Sequence, residues 1–475
     1  MSRPRSTFRA PSRRAVLAGG LAAGALVLAG RQTRAQPAAR LTVDSATLEV
    51  NGRAATVFTV KGPDGADGVF AKAGERLVGG LRNASETPLV MHWHGQLLVP
   101  AHQDRARPDG GALEPGGLDL VDFVLTPGTH WMHAHTLSEQ QLLAAPLIAR
   151  EIDAGDAQDV VMMLHDFSFR SPEEILAALD GSSGGRRGHA RLGRRHRTED
   201  GETDGGGGVQ VHDVTYDAFL ANRRTLDDPE VVPVEPGGRA RLRIINGATA
   251  TAFFITVPGL TASAVAVDGS PCVPAVAETF PLAQGQRLDL LVDIPAEGGA
   301  FPVLAQVEAS PRRTGLILAT PGASVSRLAP EAERNAGVVD LAFEASLAAV
   351  RPLEERAPAR VFPIVLGEEP DYRWTINDRV PENMEGFVAR QGERVEMTFM
   401  NPTGMTHPMH LHGHHFQVVG IDGRRFAGAV RDTVIVPPRV SVTVAFDAGQ
   451  KGEWFLHCHH LYHMAAGMMA VVKVV

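Results

Sequence analysis

Eight histidines form four separate pairs with a two-residue spacing: His92-Trp93-His94, His133-Ala134-His135, His410-Leu411-His412 and His457-Cys458-His459. Two pairs lie early in the chain and two close to its end. On an extended strand, residues i and i+2 project from the same face, so each pair presents two imidazoles side by side. Chance pairing of core histidines accounts for one or two such pairs, not four. Eight buried imidazoles without partners carry a large desolvation cost, and a shared metal site removes it. The chain is thus constrained to bring both ends of its sequence to one metal cluster.

The number of imidazoles narrows the metal. Structural zinc takes four ligands, and mononuclear non-haem iron takes two histidines and a carboxylate. Eight imidazoles suit a cluster of about three copper ions. Cys458 lies between two same-face histidines, so its side chain points the opposite way and serves a different site. His407 stands three residues before His410, His463 four after His459, and Met468 five further on. Two histidines, one thiolate and a weak methionine form the ligand set of a blue copper site. Met464 and Met469 rival Met468 on spacing alone. The tripeptide His457-Cys458-His459 then joins that site covalently to the cluster. Four coppers supply the four electrons that convert O2 to two waters. The only other cysteine, Cys272, reads as a small buried residue.

The rest of the chain reads as short β segments between Gly/Pro turns. ATVFTV (55–60), GLDLVDFVL (117–125), RARLRIING (239–247), QRLDLLVDI (286–294), ERVEMTFMN (393–401) and SVTVAFDA (441–448) alternate apolar and polar residues, as half-buried strands do. Helical periodicity is confined to Ser138–Leu143 and Pro172–Leu179. Aromatic residues make up only 5% of the chain, so its cores must be aliphatic. Three blocks emerge, at 40–170, 212–325 and 358–475. The phrases VGGLRN, LRIING and MTFMN, each carrying Asn after a strand, suggest a repeated β domain. Between the first two blocks, residues 181–208 are Gly- and Arg-rich with almost no apolar side chain. They predict a disordered loop, with His189 and His196 solvated. The Ala/Glu/Pro-rich stretch 322–357 is a second linker.

The first 35 residues carry paired arginines, Arg13-Arg14, before a Gly/Ala/Leu run and small residues at Thr33-Arg34-Ala35. This predicts a cleaved twin-arginine export signal rather than a membrane anchor. No other run is long and apolar enough to span a membrane. The formal charge is −8, and removing the seven arginines of this acid-free segment moves it to about −15. So acidic a chain is a poor nucleic-acid binder.

The motifs HWHG (92–95), HWMHAH (130–135), HPMHLHGHHF (407–416) and HCHHLYHMAAGMM (457–469), with RDTVIVPP (431–438) and YDAFLAN (216–222), resemble those of bacterial, laccase-like multicopper oxidases. The resemblance spans residues 40–475 and extends to copper-resistance oxidases. It implies an all-β fold of three consecutive cupredoxin-like Greek-key sandwich or barrel domains, and four copper ions. By position, His407, Cys458 and His463 would bind a type-1 copper with Met468 axial. His92 and His410 would bind the type-2 copper, and His94, His133, His135, His412, His457 and His459 the type-3 pair. His463 would lie nearest the electron donor. An acid in the loop after HWHG would deliver protons; Asp104 is the candidate and Asp109 its rival. Some relatives carry a second acid directly after the last type-1 histidine, where this chain has Met464. His130, His414, His415 and His460 fall at non-ligand positions, His165 reads as a core residue, and His102 and His212 as loop residues.

The expected reaction is one-electron oxidation of a phenol, an aromatic amine or Cu(I), with Mn(II) as alternative, coupled to O2 reduction. The expected partners are O2, a small electron donor and the twin-arginine export machinery, and the product is expected to be a periplasmic or exported monomer. No methionine occurs between Met163 and Met384, which weighs against a methionine-rich Cu(I) segment. A non-catalytic cell-envelope relative would have broken ligand motifs, a copper store would not need the Cys–His linkage, and a two-domain nitrite reductase would be too short. Deleting 182–207 should leave copper content and thermal stability essentially unchanged, which metal analysis and calorimetry would check; a large loss of copper would give the loop a metal role.

Overall fold

The computed structural model describes residues 39–62, 64–152, 155–181, 211–381 and 386–475. The export segment 1–35 and the loop histidines His189 and His196 lie outside them. The alternating segments form strands, among them Arg53–Lys61, Leu118–Val124, Arg239–Asn246, Arg287–Asp293, Arg394–Met400 and Ser441–Asp447. These assemble into six sheets that pair into three successive sandwiches. Each sandwich closes over its own core, and Leu41, Val121 and Leu147 lie in the first, Leu242, Leu290 and Val303 in the second, and Val395, Leu411 and Val472 in the third; the cores are mostly aliphatic but also bury rings such as Phe123, Phe253 and Phe399.

The suspected repeat is visible in the pairing. Ala39–Val50 runs parallel to Arg76–Asn83, Gln158–Phe167 parallel to Arg239–Asn246, and Arg360–Glu369 parallel to Arg394–Met400. The second strand of each pair continues into an antiparallel neighbour, Leu118–Val124, Arg287–Asp293 or Ser441–Asp447. Gln158–Phe167 therefore belongs to the second sandwich by pairing, although its position in sequence groups it with the block at 40–170.

The three asparagines closing these strands do the same work. Asn83, Asn246 and Asn401 are buried. Each donates from Nδ2 to two backbone carbonyls: Thr87 and Leu113, Thr251 and Leu282, Met405 and Val436, all at 2.7–2.9 Å. Each accepts at Oδ1 the backbone N–H two residues on, at 3.0 Å. An amide has two donors and a carbonyl to satisfy three orphaned loop groups at once, and no apolar side chain can replace it.

Alternation in the Arg239–Asn246 strand does not mark a solvent face. Arg243 is fully buried and bonds Asp159, Glu151 and Thr129, while Arg241 bonds Asp289 and Glu151. The polar face thus packs against the first sandwich, where paired carboxylates offset the cost of burying the guanidinium.

Pro172–Leu179 is a helix as expected, capped by Ser171 and Glu174. Leu137–Gln141 forms only a 3-10 turn, ended by Leu142 in the left-handed region. Two short helices were not foreseen from periodicity, Ala342–Ser346 and Leu461–Ala465, the second of which turns the last motif back on itself. Replacing Asn246 by Ala strands three buried backbone groups, at about 1–3 kcal/mol each. Denaturant unfolding of the metal-free protein should show a loss of at least one such increment, with wild-type strand content by circular dichroism.

Candidate metal centre

All four histidine pairs sit where strands end: Met91–His92, Gly128–Ala134, His407–Leu411 and Gly452–Cys458. Within the first sandwich His92 lies opposite His133 in register, and within the third His410 lies opposite His457. The two edges face each other. His92 stacks on His412 at 3.6 Å between ring centroids, and His94 on His410 at 3.7 Å. The eight imidazoles converge, all buried.

Their nitrogens fall into three groups: His92, His94 and His410; His94, His133 and His459; His135, His412 and His457. Nitrogens of neighbouring rings lie 3.0–3.4 Å apart. Two ligands about 2.0–2.1 Å from one ion are separated by roughly 3.3–3.6 Å at tetrahedral to trigonal angles. The outer nitrogens decide whether these are hydrogen bonds. Nδ1 of His412 faces the Ala106 carbonyl and Nδ1 of His457 the Cys458 carbonyl, at 3.2 and 2.9 Å. A carbonyl only accepts, so both Nδ1 atoms carry the proton. Burial, then neighbouring imidazoles, holds both rings well below the usual histidine pKa, so neither is doubly protonated. The two Nε2 atoms therefore meet lone pair to lone pair at 3.0 Å. That arrangement repels on its own and fits convergence on a shared cation.

Carboxylates stand behind three of the rings, as metal-binding imidazoles require for orientation. Asp104 Oδ2 lies 2.8 Å from His92 Nδ1, Asp432 Oδ1 3.0 Å from His94 Nε2, and Glu139 Oε2 3.0 Å from His133 Nδ1. Burial pushes the Asp104 carboxyl up to about 7, against hydrogen bonds from the backbone. Burial raises Glu139 as well, despite the pull of His133. For Asp432 burial is outweighed by the Arg287 guanidinium and by His94, which hold it well below the usual range. Asp109, the rival to Asp104, is exposed and paired with Arg107 rather than with any of the imidazoles.

On the opposite side of the Gly452–Cys458 strand, Cys458 Sγ lies 3.7 Å from Nδ1 of both His407 and His463, which are 3.2 Å from each other. These separations suit a trigonal His2Cys donor set. Burial pushes the thiol pKa up, so only a bound cation would make it a thiolate at neutral pH. Thr403 Oγ1 holds His407 through Nε2 at 2.8 Å. Trp374 stacks on His463 at 3.9 Å and His460 covers the other ring face at 3.7 Å. Met468 is buried in the same core as Cys458, whereas Met464 and Met469 pack against the core of the second sandwich.

The remaining histidines take other partners. His130 Nε2 faces the Pro127 carbonyl and His165 Nδ1 the Gly247 carbonyl. His414 accepts from the Gly449 N–H, His415 bonds Gly95, and His212 bonds the Glu308 carbonyl. His102 is exposed and Cys272 is buried and free. Asp213 Oδ1 lies 3.1 Å from His460 Nε2. Sequence reasoning did not single out Asp432, Glu139, Arg287 or Asp213. Asp432 sits in RDTVIVPP, so motif membership pointed at it, and Glu139 follows His135 by four residues; Arg287 and Asp213 come from the middle of the chain with no local mark.

Replacing Asp432 by Asn removes the charge facing Arg287 and His94. Copper affinity of the cluster should fall by about 10–100-fold in a chelator competition titration, with the Cys458 site still absorbing in the visible.

Family models described as multicopper oxidase match residues 194–321 and 355–475, together more than half of the chain. The chain is 29% identical over 442 residues to multicopper oxidase MmcO of Mycobacterium tuberculosis, covering 90% of this chain and 85% of that one. It is 23% identical to copper resistance protein A of Escherichia coli, covering 91% and 92%. The crystal structure of the laccase from Botrytis aclada superposes with a TM-score of 0.73 at 22% identity, over 91% of this chain and 86% of that chain, and has the same fold. The chain belongs to the multicopper oxidase family: it is a copper-dependent oxidoreductase, laccase-like, with O2 as electron acceptor.

Proposed function

We propose that this oxidase works with four coppers. One, of type 1, would be held by His407, Cys458, His463 and Met468. The second, of type 2, would be held by His92 and His410. The last two, a type-3 pair, would be held one by His94, His133 and His459 and the other by His135, His412 and His457. The observation that carries this reading is the opposed projection of one tripeptide: Cys458 turns to one histidine pair while His457 and His459 turn to the other cluster. Bound copper would supply one-electron transfer, so that four electrons from a donor, with four protons, reduce O2 to two waters.

The chain's own residues would do the rest. Cys458 joins the two sites through its backbone, so electrons need cross no solvent. Trp374 and His460 fix the His463 ring from both faces and keep water from it. Asp104, its carboxyl raised to about 7 by burial, would be partly protonated near neutral pH beside His92 and would deliver that proton to the reduced oxygen. The donor would be a phenol, an aromatic amine or a reducing metal ion, Cu(I) or Mn(II). The domains would be 40–170, 212–325 and 358–475, with Gln158–Phe167 paired into the second sheet. The arginine pair at 13–14 supports export to the periplasm by the twin-arginine route as a monomer; no described helix is long and apolar enough to cross a membrane. A non-catalytic envelope role is disfavoured because every ligand position is filled.

A visible spectrum with a copper count tests the proposal: an intense thiolate band and about four coppers per chain are expected, and a colourless protein that takes up no copper would overturn it. Cys458→Ser should abolish the band and turnover in a folded protein. Asp104→Asn should lower O2 reduction by about 10²–10⁴-fold while the blue band still bleaches with donor at the wild-type rate, as stopped-flow absorbance would show.

A further inference from the structure

His414 and His415 follow the third ligand pair, yet they take different partners. His414 stays within the third sandwich, facing the His412 carbonyl through Nδ1 at 3.1 Å and accepting the Gly449 N–H at Nε2. His415 leaves it in two directions. Its Nε2 lies 3.1 Å from the Gly95 carbonyl of the first sandwich, and its Nδ1 3.3 Å from Ser270 Oγ of the second. One ring therefore meets all three sandwiches. It sits beside the Arg287–Asp432 pair, with Nε2 3.5 Å from Asp432 Oδ2 and its ring 6.1 Å from that of His130.

The partners fix which nitrogen carries the proton. A carbonyl only accepts, so the His415 proton is on Nε2. Nδ1 then offers its lone pair, and the Ser270 hydroxyl donates to it. Burial holds the ring below the usual histidine pKa against the pull of Asp432, which favours this neutral form. Gly95 needs such a hold. It stands directly after His94 with φ of +83°, and a Cβ there would meet Arg287 Nη2 at 2.6 Å and Asp432 Oδ2 at 3.1 Å. The space admits glycine alone, and glycine leaves the peptide after a ligand conformationally soft. His94 is a ligand whose place matters twice. Its nitrogens group both with His92 and His410 and with His133 and His459, and its ring stacks on His410 at 3.7 Å. Asp432 Oδ1 holds that ring at Nε2, 3.0 Å away, but does not hold the backbone that carries it.

We propose that His415 is a positioning residue for His94: through the Gly95 carbonyl it fixes the backbone of that ligand, and so sets how the type-2 copper and the nearer type-3 copper stand to each other. The inference rests on the four-copper reading and adds to it a side chain that binds no copper. His94 is then held at two ends, its ring by Asp432 and its following peptide by His415. Ser270 acts at one remove, by keeping the His415 proton on Nε2. His415 works by geometry alone, with no bond made or broken at its ring. Its partners Gly95, Ser270, Asp432 and His130 include no type-1 ligand, so electron uptake from the donor is left untouched and the effect falls on the reaction of the cluster with O2.

The test compares His415→Leu with His415→Gln in the fully copper-loaded protein. Leucine fills space but cannot hydrogen-bond, whereas glutamine keeps an N–H donor for the Gly95 carbonyl. Stopped-flow absorbance separates bleaching of the blue band by 2,6-dimethoxyphenol from its return under O2, and electron paramagnetic resonance reads the type-2 copper. His415→Leu should slow reoxidation about 10–100-fold and alter the type-2 signal, with bleaching within about twofold of wild type. His415→Gln should restore both reoxidation and signal towards wild type. If His415→Leu does not fold, Ser270→Ala decides: it frees the ring proton to move to Nδ1 and should slow reoxidation at least about threefold, the worth of one hydrogen bond. Wild-type reoxidation in the decisive variant, or equal damage in His415→Leu and His415→Gln, would show that the ring serves packing only and overturn the proposal. A wild type that takes up no copper would sink the four-copper reading itself, and this inference with it.

Discussion

Arg287 and Asp432 form the buried ion pair on which the arrangement of the histidines depends. Neither residue is exposed, and the guanidinium donates to both carboxylate oxygens. It also bonds the carbonyls of Thr129, Gly285 and Asp268. One side chain of the second sandwich therefore grips the first, its own, and the third. Asp432 passes that grip on: its carboxylate holds His94, from the first sandwich, and its carbonyl holds His410, from the third. A buried pair of this kind contributes little net stability against an apolar alternative, but breaking it leaves a charge stranded at a cost of about 3–5 kcal/mol. Its value here is positional, since it fixes two rings that come from chain segments more than 300 residues apart.

Glycine serves the same end where rings crowd the backbone. Gly285 has φ of +79°, and a Cβ there would come within 2.6 Å of the His459 ring. Gly95, at φ of +83°, would press a Cβ to 2.2 Å from His130. Close approach of backbone to imidazole is thus part of how the histidines in and around the cluster are packed.

Much of this was legible in the sequence because metal chemistry leaves local marks. The spacing of His457, Cys458 and His459 alone dictates two sites on opposite faces of one strand, and the alternating segments become strands within a residue or two. Asn83, Asn246 and Asn401 were visible as a repeated phrase, though not as identical loop braces. What escaped was non-local or turned on context. Arg241 and Arg243 read as a solvent face and instead meet buried carboxylates across a sandwich interface. Gln158–Phe167 was grouped by proximity in sequence, whereas its hydrogen bonds lie with a strand eighty residues on. The single turn Leu461–Ala465 is too short for periodicity to register. Asp213 reaches His460 and His463 from the middle of the chain, where nothing adjacent marks a metal.

The asparagine brace of the second sandwich leads to a different outcome from the other two. After Asn83 and Asn401 the chain runs on into ligand histidines; after Asn246 it runs into Thr249 and Thr251, which bond Asp166. The middle sandwich thus carries none of the twelve side chains expected to touch copper, yet it supplies Arg287, Gly285 and Asp213. It acts as a keystone: it bears on ligand rings of both neighbours without offering a ligand itself, so damage to this unit would surface as a disordered cluster next door.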